Sequence, residues 1–105
     1  DAATILRRAL ELDPSNLESR GNFGWVLLQL GSNDEAITHL ATVKVSHPER
    51  YGVRLNLAKA LTAAGRVDDA RAELQSILAA SPGYAPARAM LDQLTPGAST
   101  APASP

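Results

Sequence analysis

His39 and His47 stand eight positions apart, and together with eleven Asp and Glu residues they are the natural starting points for acid–base or metal chemistry. No cysteine is present and neither histidine belongs to an HExxH arrangement, so the spacing predicts no metal site. His39 is expected on a helix surface and His47 in a turn. The pairs Asp34–Glu35 and Asp68–Asp69 fall where helices should begin, and there the macrodipole favours negative charge without any catalytic role. "GNFGWVLLQLG" has glycines but neither the lysine of a phosphate loop nor dinucleotide-binding spacing, and it reads as a helix. No Ser, His and Asp set shares a recognisable motif. The residues with reactive side chains therefore predict no enzyme, no metal and no cofactor.

The elements that would position any other chemistry are set by a repeat. Pro14, Pro48 and Pro82 are separated by steps of 34 residues, and Ala2, Ala36 and Ala70 keep the same step, as do Leu6, Leu40 and Leu74. Arg20, Arg54 and Arg88 recur with it; Asn22 pairs with Asn56, Leu27 with Leu61, Gly31 with Gly65 and Asp34 with Asp68. Each unit reads as two helices. From Leu17 to Arg50 these are "LESRGNFGWVLLQL" and "DEAITHLATVKVS"; from Tyr51 to Tyr84 they are "LNLAKALTAAG" and "DDARAELQSILAAS". Gly31 and Gly65 suit left-handed helix ends, and Asn33 or Asp34, and Asp68, could cap the helices that follow. Leu74, Ile77 and Leu78 form the apolar stripe of an amphipathic helix. Residues 1–16 match only the second half of a unit, and Ala85–Leu94 reads as a solitary terminal helix that shields the last apolar face. That makes about six helices, followed by a Pro-, Ala-, Ser- and Thr-rich stretch, 95–105, expected to be a disordered tail or linker. Because the chain starts mid-unit, it is expected to be a fragment of a longer protein.

With Arg20, Phe23, Gly24, Leu27, Ala36, Leu40 and Pro48, and again with Arg54, Leu57, Ala58, Leu61, Ala70, Leu74 and Pro82, the chain resembles the tetratricopeptide repeat (TPR) family. Arginine stands where that pattern has its first aromatic, and leucine replaces the tyrosine and the phenylalanine. The resemblance spans residues 1–94 and implies an all-α, right-handed superhelical solenoid of antiparallel helix pairs. It also implies that the first helix of each pair lines a concave groove that holds a peptide or a partner helix. Carried over by register, the groove positions are Glu18, Gly21, Asn22, Trp25, Leu28 and Gln29 from one unit, and Gly52, Leu55, Asn56, Lys59, Thr62 and Ala63 from the next. Asn22 and Asn56 could offer donor and acceptor to a ligand backbone, or could be satisfied within the array. Trp25 could be an apolar anchor or pack on a neighbouring helix, and Lys59 places a charge at the equivalent position. The family's clamp for a terminal carboxylate needs basic residues around such asparagines; here Glu18, Gly21, Gly52 and Leu55 stand there, so the clamp is not expected. The recurring arginines are expected to lay their stems over apolar surface with their heads in water.

Composition narrows the function classes. Apolar residues make up 45% of the 105 residues and aromatics only 4%, a helical palette. The net charge of −1 gives no pull toward nucleic acid or membrane, and no apolar run has the length of a membrane span. Absent cysteines suit cytoplasm and periplasm equally. Eight arginines against two lysines, with abundant alanine, point to a bacterial source. The reading is a non-catalytic protein-interaction scaffold. The alternatives are a regulatory or substrate-docking segment of a larger enzyme such as a transferase, or homo-oligomerisation through the incomplete first unit.

Overall fold

Six α-helices form where apolar periodicity runs between the proline and glycine breaks. In the computed structural model, which describes residues 1–95, they are α1 (Ala2–Leu12), α2 (Leu17–Gln29), α3 (Asn33–Ser46), α4 (Tyr51–Ala63), α5 (Val67–Ala80) and α6 (Ala85–Leu94). The tail expected over 95–105 lies, beyond Thr95, outside the described residues. α4 starts at Tyr51, four residues ahead of the stretch read as helical. Pro48 stays in the preceding turn, and the Arg54 amide already donates to the Arg50 carbonyl at 3.2 Å.

Two kinds of turn alternate. After α2 and α4 the chain reverses at Gly31 and Gly65, with φ of 81° and 82°. The Ser32 amide donates back to the Leu27 carbonyl and the Gly31 amide to that of Leu28; Arg66 and Gly65 do the same to Leu61 and Thr62. This pattern satisfies the last helical carbonyls and requires a residue that tolerates the left-handed region. It also leaves no room for the expected caps. Ser32 and Arg66 occupy the N-cap positions of α3 and α5 without side-chain bonds, while Asp34 and Asp68 sit inside the first turn, Asp68 paired with Arg71 at 3.0 Å. The helices that are capped by side chains are α1, where Asp1 accepts from the Thr4 amide, and α2, where Asn16 accepts from that of Ser19. The turns at Pro14, Pro48 and Pro82 each close with one backbone bond of 3.1 Å, to the carbonyls of Asp13, His47 and Ser81.

Each helix packs on the next in sequence, and α2 also lies alongside α4, giving an elongated stack of 59 × 26 × 18 Å. Its core is a ribbon of the recurring residues. Ala36, Leu40, Ala58, Ala70, Leu74 and Ile77 are fully buried, with Phe23, Leu27, Leu57 and Leu61 beside them. At the closest approach of α2 to α3, a Cβ on Gly24 would lie 2.7 Å from Leu40 Cδ2 and Cγ; the absence of a side chain is what admits Leu40. α1 covers one end of the ribbon with Leu10 buried, while its Ile5 and Leu12 remain exposed.

The two mid-helix glycines of α2 should therefore respond in opposite directions. Gly24→Ala must push Leu40 aside and should cost about 1–3 kcal/mol. At Gly21 an added Cβ meets only Val53 and Val43, at 3.8 and 3.9 Å, so Gly21→Ala should stabilise by up to about 1 kcal/mol through helix propensity. Urea denaturation of the two variants distinguishes these outcomes.

Candidate functional site

α2, α4 and α6 stand side by side along one face, and two grooves run between them. The first, about 380 Å³, is lined by Leu17, Glu18, Gly21, Asn22 and Trp25 of α2, by Arg50, and by Gly52, Val53 and Asn56 of α4. The second, about 300 Å³, lies between Lys59, Thr62 and Ala63 of α4 and Met90, Gln93 and Leu94 of α6. The Tyr51 and Tyr84 rings, with centroids 5.3 Å apart, link the start of α4 to the N-cap of α6.

Of the sequence-predicted groove residues, Glu18, Asn22, Trp25 and Asn56 meet in the first groove, and Lys59 and Thr62 line the second. Trp25 is 47% exposed, so its ring is presented to solvent rather than consumed in packing. Gln29 lines neither groove and is exposed in the last turn of α2. Leu28 and Leu55 also lie outside both; they are half-buried against the core. Sequence reasoning missed Arg50 and Val53, and it missed Met90 and Gln93. The signal for the latter pair was present: one further step of 34 from Asn56 and Lys59 arrives at them. Along this face the groove residues fall in two rows, Asn22–Asn56–Met90 and Trp25–Lys59–Gln93.

The recurring arginines of α2 and α4 tie these helices to neighbouring turns, and for Arg20 and Arg54 the structure corrects the expectation of solvated heads. Arg54 is 4% exposed. Its Nη1 donates to the Pro48 carbonyl at 2.9 Å, its Nη2 to Ser76 Oγ at 2.8 Å and its Nε to Glu73 at 2.6 Å. Lys44 Nζ takes the other Glu73 oxygen at 2.5 Å. The guanidinium thus ties the closing turn of one helix pair to the next. Arg20 repeats the bond to the proline carbonyl, donating to Pro14 at 2.8 Å. Arg88 is exposed and ties no turn among the described residues.

His39, expected on the surface, is instead half-buried between α1, α2 and α3. It packs on the Phe23 ring with centroids 4.9 Å apart. His47 lies at the C-cap of α3. Its Nδ1 is 3.1 Å from Glu49, whose carboxyl is held below its usual range by a backbone hydrogen bond and then by His47. Among the described residues no three metal-ligating side chains cluster, and no helix is long and apolar enough to cross a membrane. The grooves offer amides, a hydroxyl, one carboxylate, two cations and an apolar ring, a set suited to gripping polypeptide.

Residues 22–85 match a family model described as tetratricopeptide repeat, and a second model of the same description matches residues 5–38. The chain belongs to the tetratricopeptide repeat family. Among solved structures it is similar to the second TPR domain of the human RPAP3 protein, determined by NMR in complex with the HSP70 peptide SGPTIEEVD. The TM-score is 0.78 at 17% identity, over 88% of this chain and 77% of that one. At that identity the likeness carries the all-α TPR solenoid and nothing finer. No curated protein matches the sequence.

Within this solenoid the Arg54–Glu73 tie should be costly to break from one side. Glu73→Ala leaves the Arg54 charge buried with only the Pro48 carbonyl and the Ser76 hydroxyl as acceptors and should destabilise by about 3 kcal/mol. Glu73→Gln keeps an acceptor and should cost less. Both follow from chemical denaturation.

Proposed function

We propose that the chain is a non-catalytic protein-interaction module that holds an extended stretch of a partner polypeptide along the face formed by α2, α4 and α6. The observation that carries this reading is the double row on that face. Asn22 and Asn56 line one groove with the exposed Trp25, and Lys59 continues the line into the second with Met90 and Gln93. Side-chain amides one repeat apart can pair with a ligand's backbone, and the indole offers a broad apolar anchor. That the solved relative was studied with a bound peptide supports polypeptide as the class of partner.

The proposed ligand is an internal segment rather than a carboxylate-ended tail. Glu18 and Arg50 line the same groove, so it offers one charge of each sign rather than the cluster of cations that would favour a terminal carboxylate. The role best in keeping with such a face is that of a scaffold or assembly module. The arginine-over-lysine, alanine-rich composition supports a bacterial source.

A partner captured from lysate on the wild-type chain and then titrated by calorimetry provides the test. Trp25→Ala should weaken binding by about 2 kcal/mol, and Asn22→Ala and Asn56→Ala by about 1 kcal/mol each, with folding unchanged. If all three bind the partner like wild type, the ligand lies elsewhere and the reading fails.

A further inference from the structure

The register of the repeat aligns His39 with Glu73, 34 residues on, just as it aligns Arg20 with Arg54. The same joint between a first and a second helix is therefore built twice with different chemistry. In the later one Arg54 meets a carboxylate whose two oxygens are both taken, by Arg54 and Lys44. In the earlier one Arg20 Nη1 lies 2.9 Å from His39 Nδ1. A guanidinium can only donate, so this bond needs His39 neutral, with its proton on Nε2. Arg20 Nε is buried with no partner, whereas the matching Arg54 Nε donates to Glu73.

The groups around His39 come from three helices. Arg7 of α1 pairs with Glu35 of α3 at 2.9 Å, and its guanidinium carbon lies 4.9 Å from the centroid of the Phe23 ring. Arg20 of α2 holds His39 Nδ1 and, through Nη2, the Pro14 carbonyl in the turn between α1 and α2. Glu35, on the same helix as His39, has its carboxylate 3.8 Å from Nε2. The tie from α1 to α3, Arg7 to Glu35, and the tie of Arg20 to the turn that joins α1 to α2 thus converge on one imidazole.

We propose that the Arg20–His39 contact is a pH-sensitive latch that fastens α1 to the remainder of the solenoid. A proton on Nδ1 removes the lone pair that Arg20 uses and sets donor against donor and cation against cation. Arg20, whose Nε already lacks an acceptor, must swing away and release the Pro14 carbonyl. The new imidazolium draws Glu35 and competes with Arg7 for it. Burial first, and the Arg20 charge second, hold His39 below its ordinary value of 6.5, so the closed joint favours the neutral ring. An opened joint takes up the proton near the ordinary value. The latch is therefore complete above about pH 6.5 and weakens as pH falls toward the folded-state value, beneath which no further change follows. Each unit of depression allows up to about a tenfold change in the opening constant.

The test is hydrogen exchange on the intact chain, corrected for intrinsic rates, with the histidine ring signals followed by NMR from pH 7.5 to 5.5. His39 should titrate below 6.5, and protection of α1 amides should fall with it by several-fold to tenfold relative to α5 amides. His39→Gln and His39→Glu should abolish that pH dependence, the Glu variant by rebuilding the pairing of the later joint; His47→Gln should leave it intact. The latch is refuted if α1 protection stays constant while His39 titrates, or if His39→Gln loses α1 protection over the same range as wild type.

Discussion

The close approach of α2 to α3 at Gly24 is the constraint on which the remaining structure depends. Leu40 occupies the space a side chain would take, and Ala58 takes the same position one repeat later, fully buried. An amphipathic helix of this length cannot bury its apolar face alone, so each must lie against the next, and small residues let the backbones come near enough for the leucines to interlock. Once α2 and α4 present these faces to the second helices, their remaining faces stand together on the other side. The grooves are therefore a by-product of core packing, and their chemistry is free to vary.

On that frame the recurring arginines fix the angle at which one helix pair follows another. A buried ion pair such as Arg54–Glu73 adds little net stability, because desolvation of both charges offsets their attraction. Its value lies in direction: the guanidinium reaches a proline carbonyl, a serine hydroxyl and a carboxylate at once, which ties the turn to α5. One framework thus accommodates a permanent tie at Glu73 and a titratable one at His39. The difference between the two arises at two register positions, where His39 and Leu10 stand in place of Glu73 and Lys44.

The fold was legible in the sequence because its causes are local and periodic. Proline and glycine ended the helices where expected, and the step of 34 residues aligned small residue with small residue. The caps were misread because the tight reversals at Gly31 and Gly65 run straight into the next helix, a consequence of turn geometry rather than residue preference. The arginines were misread because their partners lie on another helix, 19 residues on in sequence for both Arg20–His39 and Arg54–Glu73, and only packing reveals which side chains meet. His39 looked like a surface residue for the same reason. In the groove, α2 and α4 were read along the register, but α6 was treated as a cap, and Met90 and Gln93 were lost with it. A terminal helix can close the core with one face, as Ala87 and Leu91 do, and still extend the groove with another.

The central claim is that partner binding belongs to the face shared by α2, α4 and α6. The most direct measurement is NMR chemical-shift mapping of the chain with a captured partner segment. The Trp25 indole and the Asn22 and Asn56 side-chain amides should shift most, with Met90 and Gln93 following, while exposed residues of α3 and α5 such as Thr42 and Gln75 stay still. Shifts concentrated on α3 and α5, with the Trp25 indole unmoved, would contradict it.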